Sequence, residues 1–242
     1  MLRRDLVCLI KRDDTVMLMA GCMISEYVQK FDEAYRWTNS HTDERLNYPF
    51  RIDPSLKLDM KTIVAVLAKD FAEFIKHTDM LPGRCFLLAR ELSYVMFDLK
   101  IKHTVTIGDI QLADGMYVGL SHASLEKEIR DGYQFDIDET GRAVAKPANA
   151  HAWITLENGQ IIDASILASR HRKSGKEGRL TFEESFYHFG KTGTPELKHI
   201  PFMTGLAYHH DVLYHPRDMY GPTYGQWFDT YLGFMNFMNG VR

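Results

Sequence analysis

Three side chains in the sequence have the types and the order that nucleophilic attack on a carbonyl group requires. They are Cys85, His151 and Asp163, in a chain of 242 residues. A thiol attacks as its thiolate, so it needs a base beside it, and the base needs a third group that orients it. Cysteine, histidine and aspartate supply these three roles. We therefore treat them as the candidate nucleophile, base and orienting residue.

The segment around Cys85 predicts that this thiol lies at the beginning of a helix. Pro82 and Gly83 suit a helix entrance, and an apolar stripe follows that ends near Leu99. The free amide hydrogens and the dipole of a helix N-terminus favour a negative charge. The backbone amide of the cysteine can also face a developing oxyanion. The pattern therefore favours a reactive thiolate at residue 85.

The other two candidates lie on either side of a predicted β-hairpin. Residues 150–156 and 160–164 have the composition of strands, and they flank Asn158-Gly159. An Asn-Gly pair between two such runs is the strongest short-range signal for a hairpin. His151 is on the first strand and Asp163 is on the second, so the hairpin could bring them together.

The length of this turn decides whether the two side chains can meet, because side chains alternate between the faces of a sheet. A two-residue loop pairs Ile154 with Asp163 and leaves His151 on the opposite face. A three-residue loop that ends at Gly159 pairs Trp153 with Asp163 instead. The aspartate then lies diagonal to the histidine on the same face, about 7–8 Å away and within side-chain reach. We predict the three-residue loop, with a positive φ at the glycine.

These motifs resemble the transglutaminase-like (papain-like) superfamily of cysteine proteases and acyltransferases. In that family a cysteine opens a helix, and a histidine follows on a strand in a motif like His-Ala-Trp. An aspartate comes next, on the neighbouring strand, in a motif like Asp-Pro-Thr or Asp-Ala-Thr. This chain has Cys85-Phe86-Leu87, His151-Ala152-Trp153 and Asp163-Ala164-Ser165, and the match covers about 82–165. The resemblance implies a papain-like core and a Cys-His-Asp triad without cofactor or metal.

Such a triad implies a thiol enzyme that acts on an amide, which can be a peptide bond, an isopeptide bond or a side-chain amide. We expect an acyl-enzyme that is hydrolysed by water, with a peptide or protein as the substrate. Transfer of the acyl group to an amine, as in a transglutaminase, is one alternative. A catalytically silent binding module of the same fold is another. The family's second oxyanion donor has no recognisable counterpart in this sequence.

A different chemistry is possible at His209-His210-Asp211 together with His215. Four potential ligands within seven positions could bind Zn²⁺ in a metal hydrolase. No companion cysteine or glutamate motif follows at a known spacing, and the neighbours look like an aromatic loop, so we favour the thiol site. We interpret the remaining cysteines, Cys8 and Cys22, as packing residues.

The order of the predicted elements indicates an α+β protein. Helices are predicted over about 15–37, from Asp59 and from Cys85, and strands at 103–107, 117–120 and the hairpin. Residues 170–179 are basic and predict a solvated loop. The chain from Phe182 is rich in aromatic residues, Gly and Pro and predicts irregular structure with short helices.

We expect a single domain over residues 1–242. Its core would occupy about 59–168, between an N-terminal helical part at 1–58 and a C-terminal extension at 169–242. A net charge of −3 speaks against nucleic acid or a membrane surface as the partner. No apolar stretch is long enough to span a bilayer. Three cysteines are too few for a disulfide framework, so a cytoplasmic location is expected.

Overall fold

The computed structural model describes residues 24–194, 197–213 and 224–240, and their fold combines helices with an antiparallel sheet. The predicted α+β class is confirmed. The helices are α1 (24–41), α2 (Met60–Phe74), α3 (Cys85–Asp98), α4 (His122–Asp131), α5 (Ile166–Lys173), α6 (Phe182–Ser185) and α7 (Tyr224–Met238). The strands are β1 (His103–Leu112), β2 (Gly115–Met116), β3 (Phe135–Ile137), β4 (Ala143–Ala145), β5 (His151–Leu156), β6 (Ile161–Ile162) and β7 (Lys198–Thr204).

Strand β1 is the centre of the main sheet. It pairs with β5, β7 and β2, and β6 continues the sheet beyond β5; every pairing is antiparallel. A bulge at Ile107/Gly108 marks the place where β1 lies between His151 and Pro201. A Cβ at Gly108 would lie 2.1 Å from the carbonyl oxygen of Ile200. The glycine at residue 108 therefore allows β7 to approach β1 closely at the position that pairs with His151.

The helices predicted from Asp59 and from Cys85 form where expected. Asp59 caps α2, because its carboxylate accepts hydrogen bonds from the Thr62 amide at 3.2 Å and from the Thr62 hydroxyl at 2.6 Å. Helix α3 begins at Cys85 and ends at Asp98, one residue before the predicted end. Buried apolar residues along α3 pack against β5. The thiol-bearing end of the helix is thereby held against the strand that begins at His151.

The hairpin between β5 and β6 has the three-residue loop that the sequence predicts. Ile154 pairs with Ile162, and the amide of Leu156 donates to the carbonyl of Gln160 at 2.8 Å. Gly159 has a φ of +82°, in the left-handed region. The same register places Trp153 opposite Asp163, which is the condition for bringing the aspartate to the face of His151.

Helix α1 is joined to the sheet by a buried network of hydrogen bonds. The hydroxyl of Tyr27 is 2.6 Å from the hydroxyl of Thr155, and the indole nitrogen of Trp153 donates to Tyr27 at 2.8 Å. Thr155 is also hydrogen-bonded to Thr106 on β1. These polar groups are paired inside the core, so their hydrogen bonds offset the cost of removing them from water. The part of the predicted helix before residue 24 lies outside the described residues.

Two predictions for short segments were wrong. Residues 117–120 do not form a strand, because the amides of Val118, Gly119 and Leu120 donate to the carboxylate of Asp109 at 2.6–2.9 Å. The predicted loop at 170–179 begins instead as the second half of α5. Buried residues at the start of α5 fix that helix against the core, and its basic end then extends into solvent.

The prediction of irregular structure with short helices after Phe182 was incomplete, because the short helix α6 is followed by longer regular elements. The chain forms β7, which lies beside β1, and the 15-residue helix α7. Along α7 the buried residues Trp227, Tyr231 and Met235 recur every four positions, as one face of a helix requires. The segment that sequence reasoning treated as an extension therefore completes the sheet.

Residues 125–149, which the sequence left unassigned, contain most of α4 and the small β3–β4 hairpin. Ser121 and Ser124 form a capping box at the start of α4. None of the helices in the described part of the chain has the length and apolar character needed to cross a membrane.

Candidate active site

Cys85 is the first residue of α3 and is half-buried, with a free thiol. No side chain of the described residues caps this end of the helix. The first amide hydrogens of a helix have no partner within it. They are therefore available to a thiolate or to an oxyanion formed beside residue 85.

His151 lies between the thiol and the carboxylate of the predicted triad. Its Nε2 atom is 2.6 Å from Oδ2 of Asp163, and the side chain of Cys85 is close enough to act on the ionisation of the ring. Because Nε2 faces the aspartate, Nδ1 is the ring nitrogen available to the thiol. The histidine is buried, and the rings of Tyr117 and Trp153 also pack against it.

The ionisation of His151 is set by opposing effects. Burial lowers its pKa, but the negative charges of Asp163 and Cys85, together with their hydrogen bonds, hold the pKa well above its ordinary value. The charged imidazolium form of His151 is thus favoured beside the side chain of Cys85. This is the electrostatic condition for a stable thiolate–imidazolium pair.

Asp163 is held in place by its backbone and by one of its carboxylate oxygens. Its amide and carbonyl both bond to Tyr187, at 3.0 and 2.9 Å. Oδ1 accepts the amides of Ser165 and Ile166, at 3.0 and 3.1 Å, and the Ser165 hydroxyl at 3.3 Å. These bonds tie the carboxylate to the start of α5. The other oxygen, Oδ2, is left to face the histidine.

A second histidine, which sequence reasoning missed, also contacts the aspartate. Nε2 of His199 on β7 is 3.0 Å from Oδ2 of Asp163, and the ring is buried. It stacks on Tyr187, with ring centroids 5.1 Å apart, and lies edge-on to Trp153 at 4.9 Å. The alternation of His199, Pro201 and Met203 within β7 was the one signal that could have indicated an inward-facing histidine.

The carboxylate of Asp163 remains ionised in this environment. Burial raises its pKa, but the charge of His151 and the hydrogen bonds from both imidazoles more than offset that effect and hold the pKa far below its usual value. The aspartate can therefore act as an acceptor toward both rings throughout the neutral range. Neither ring receives a proton from it.

Aromatic side chains border the site. Tyr117 lies edge-on to the His151 ring at 5.4 Å, and the ammonium of Lys173 lies 5.0 Å from the centre of the Tyr117 ring. On the side of α3, Phe86 stacks on the buried Tyr208 at 5.5 Å. The Tyr208 hydroxyl donates to Glu128 at 2.5 Å, and burial together with that carboxylate raises its pKa. Tyr208 is therefore a neutral wall of the site.

The alternative zinc cluster is not assembled by its described members. His209 is buried, its ring lies 5.1 Å from that of Trp227, and burial lowers its pKa to about 4. His210 turns outward and contacts Asp211 at 2.7 Å. Among the residues that the structure describes, no group of three or more His, Cys, Asp or Glu is arranged to hold a metal ion. His215, Cys8 and Cys22 lie outside the described residues.

The three residues predicted from the sequence are thus brought together, and a fourth joins them. Comparisons with protein-family models, with curated proteins and with solved structures found no match to this chain. The chemistry must be inferred from the site itself: a half-buried thiol beside an imidazole whose pKa is raised, and an ionised carboxylate hydrogen-bonded to that imidazole.

Proposed function

We propose that the protein is a thiol enzyme that acts on an amide through Cys85, His151 and Asp163, within a papain-like or transglutaminase-like core. The observation that supports it is one row of neighbouring side chains: Cys85, at the first residue of α3, lies beside the imidazole of His151, whose Nε2 is 2.6 Å from the carboxylate of Asp163. Residues separated by 12 and 66 positions meet here in the order that acyl transfer requires.

The reaction begins when the thiol proton of Cys85 passes to Nδ1 of His151. The thiolate attacks the amide carbonyl and forms a tetrahedral intermediate, whose oxygen faces the free amides at the start of α3. The imidazolium then gives its proton to the amide nitrogen, the C–N bond breaks, and the amine leaves. A thioester on Cys85 remains. Asp163 keeps the imidazole in the orientation and tautomer that both transfers need.

Water is the proposed acceptor of the acyl group. His151, neutral after the first half-reaction, takes a proton from water, and the hydroxide adds to the thioester carbonyl. Collapse of this intermediate releases a carboxylic acid, and the thiolate–imidazolium pair returns. The substrate would be a peptide or protein with a peptide, isopeptide or side-chain amide, in a reducing compartment such as the cytoplasm. An amine acceptor would give a new amide instead.

Selective alkylation tests the reactive pair directly. A limiting amount of iodoacetamide at pH 6.5 is expected to label Cys85 before Cys8 and Cys22, as read by peptide mass spectrometry. His151→Ala should abolish the selectivity, because the imidazolium stabilises the thiolate. His103→Phe, at a buried histidine bonded to the Ile101 carbonyl, is the matched control and should retain it. Equal labelling of the three cysteines in the unmodified protein would contradict the proposal.

Turnover is tested with a library of amides and a thiol-directed acyl probe. A mass increase on Cys85 equal to the acyl group, which decays in water, is expected. Decay that accelerates on adding a primary amine, with an amide product, would identify the acyltransferase alternative. No adduct on Cys85 from any amide would contradict both.

A further inference from the structure

One oxygen of Asp163 accepts hydrogen bonds from two buried imidazoles. Oδ2 lies 2.6 Å from Nε2 of His151 and 3.0 Å from Nε2 of His199. The carboxylate is ionised, so it can only accept. Both Nε2 atoms must therefore carry hydrogen, which specifies the tautomer of His199 as well as that of His151.

His199 provides this second bond without introducing a second positive charge. Burial lowers its pKa, against the opposing effect of Asp163, and the nearby positive His151 lowers it further. The aromatic rings of Tyr187 and Trp153, which pack on it, carry no charge. The ring is thus a neutral donor that leaves the charge of the carboxylate for His151.

The two histidines reach the carboxylate from different parts of the sheet. His151 is on β5 and His199 is on β7, which flank β1 on its two sides, whereas Asp163 follows β6. Bonds from Ser165 and Ile166 hold Oδ1. Oδ2 is restrained by two bonds, one from His151 itself and the other from His199. A carboxylate held at both oxygens cannot rotate away from His151 when the latter gives up its proton.

We infer that His199 is a positioning residue, which holds Oδ2 of Asp163 against His151 and thereby sets the orientation and charge of the imidazole that serves Cys85. This inference rests on the proposed function, because the imidazole needs a defined orientation only if it moves protons. His199 does not touch the thiol, so its loss should lower kcat and leave KM unchanged.

Three substitutions of His199 separate the hydrogen bond from the packing. His199→Phe keeps a ring against Tyr187 and Trp153 but removes the donor. His199→Gln retains a donor that can reach the position of Nε2, whereas His199→Asn retains an amide that is too short. His103→Phe again serves as the control for the loss of a buried histidine on the same sheet.

The first readout is the pKa of His151, measured by a pH titration of the ¹⁵N resonances of its ring. This pKa should fall in His199→Phe and His199→Asn, because the carboxylate is no longer held against the ring. In His199→Gln it should return toward the original value. The second readout is the rate of Cys85 alkylation at pH 6.5. It should fall by about 10- to 100-fold in the Phe variant, the range seen when the hydrogen-bond partner that orients a metal-bound histidine is removed.

The outcomes distinguish this inference from the proposed function. An unchanged pKa of His151 in both His199→Phe and His199→Asn would overturn the inference, however reactive Cys85 is. If the Phe variant does not fold, the comparison of the Gln and Asn variants decides in the same way. Unselective alkylation in the unmodified protein would instead contradict the proposed function. The pKa of His151 in the His199 variants would still test whether His199 holds Asp163 against His151.

Discussion

His151 and Asp163 lie diagonally across the β5–β6 pairing, on one face of the sheet, with 2.6 Å between Nε2 and Oδ2. A shift of this pairing by one residue would move the carboxylate to the opposite face. The loop that ends at Gly159 sets the pairing. The geometry of the candidate site therefore depends on the backbone of one turn.

Replacing Gly159 with valine is expected to disturb both the fold and the site. A β-branched residue resists a φ of +82°, at a cost of roughly 1–2 kcal/mol, and its Cβ would lie 3.0 Å from a methyl carbon of Ile24. The unfolding free energy in urea should fall, and selective alkylation of Cys85 should be lost.

Gly141→Val is the matched control for this turn. Gly141 has a φ of +79° in the β3–β4 hairpin, and no atom lies within 4 Å of an added Cβ. A valine at this position therefore introduces backbone strain without a steric clash. This variant should keep the alkylation selectivity. Unimpaired selectivity in Gly159→Val would show that the register does not depend on the glycine.

Asp163→Asn should inactivate the protein although the side chains have nearly the same shape. Both carboxylate oxygens accept hydrogen bonds, and an amide group in either position would direct its own hydrogens at a donor. We expect kcat to fall by about 10⁴-fold, as when the orienting aspartate of such a triad is amidated. The thermal midpoint should fall as well.

Asp138→Asn is the control for the loss of a carboxylate with several donors. Asp138 accepts from Thr140 and Arg142 in an exposed turn, where water can replace a lost bond. Its activity and thermal midpoint should stay close to those of the unmodified protein. Activity of Asp163→Asn within a few-fold of the original would contradict the role assigned to Asp163.

Stability is expected to decrease in mild acid because of His103. Burial lowers its pKa from 6.5 to about 4, so the folded state keeps it neutral where the unfolded chain binds a proton. The unfolding free energy should therefore fall as the pH decreases from 6.5 to about 4, by about 3 kcal/mol from this residue. Urea titrations at pH 7, 5 and 4 measure it.

His103→Phe should reduce this pH dependence because it removes one titrating buried histidine, whereas His209, whose pKa is also lowered to about 4, keeps its own share. Phe97, Tyr231 and Phe234 already surround the ring and can accommodate phenylalanine. The unfolding free energy of the unmodified protein, relative to that of the variant, should thus fall as the pH is lowered. Parallel curves for the two proteins would show that another group is responsible.

Chelation separates the thiol mechanism from the zinc alternative. EDTA should leave turnover unchanged, whereas Cys85→Ala should abolish it. His209→Ala together with His215→Ala should reduce stability or substrate affinity at most, because His209 packs among aromatic side chains. Loss of turnover on chelation, with full activity in Cys85→Ala, would favour the metal hydrolase.

Local signals in the sequence were enough for the parts of the site that lie close together along the chain. Pro82 and Gly83 marked the start of α3 at Cys85, and Asn158-Gly159 indicated the hairpin. Its register followed from the requirement that His151 and Asp163 share one face of the sheet. Such signals work because helix entry and tight turns depend on the φ preferences of a few adjacent residues. The meeting of His151 and Asp163, 12 residues apart, follows from that turn alone.

Only the tertiary structure decided what lies on the far side of the aspartate. His199 and Asp163 are 36 residues apart, and no turn connects their strands; β7 reaches the site because it pairs with β1. An alternating pattern indicates which face of a strand is buried, but not which strand lies beside it. That choice depends on burying apolar surface from the whole chain, which no local preference encodes.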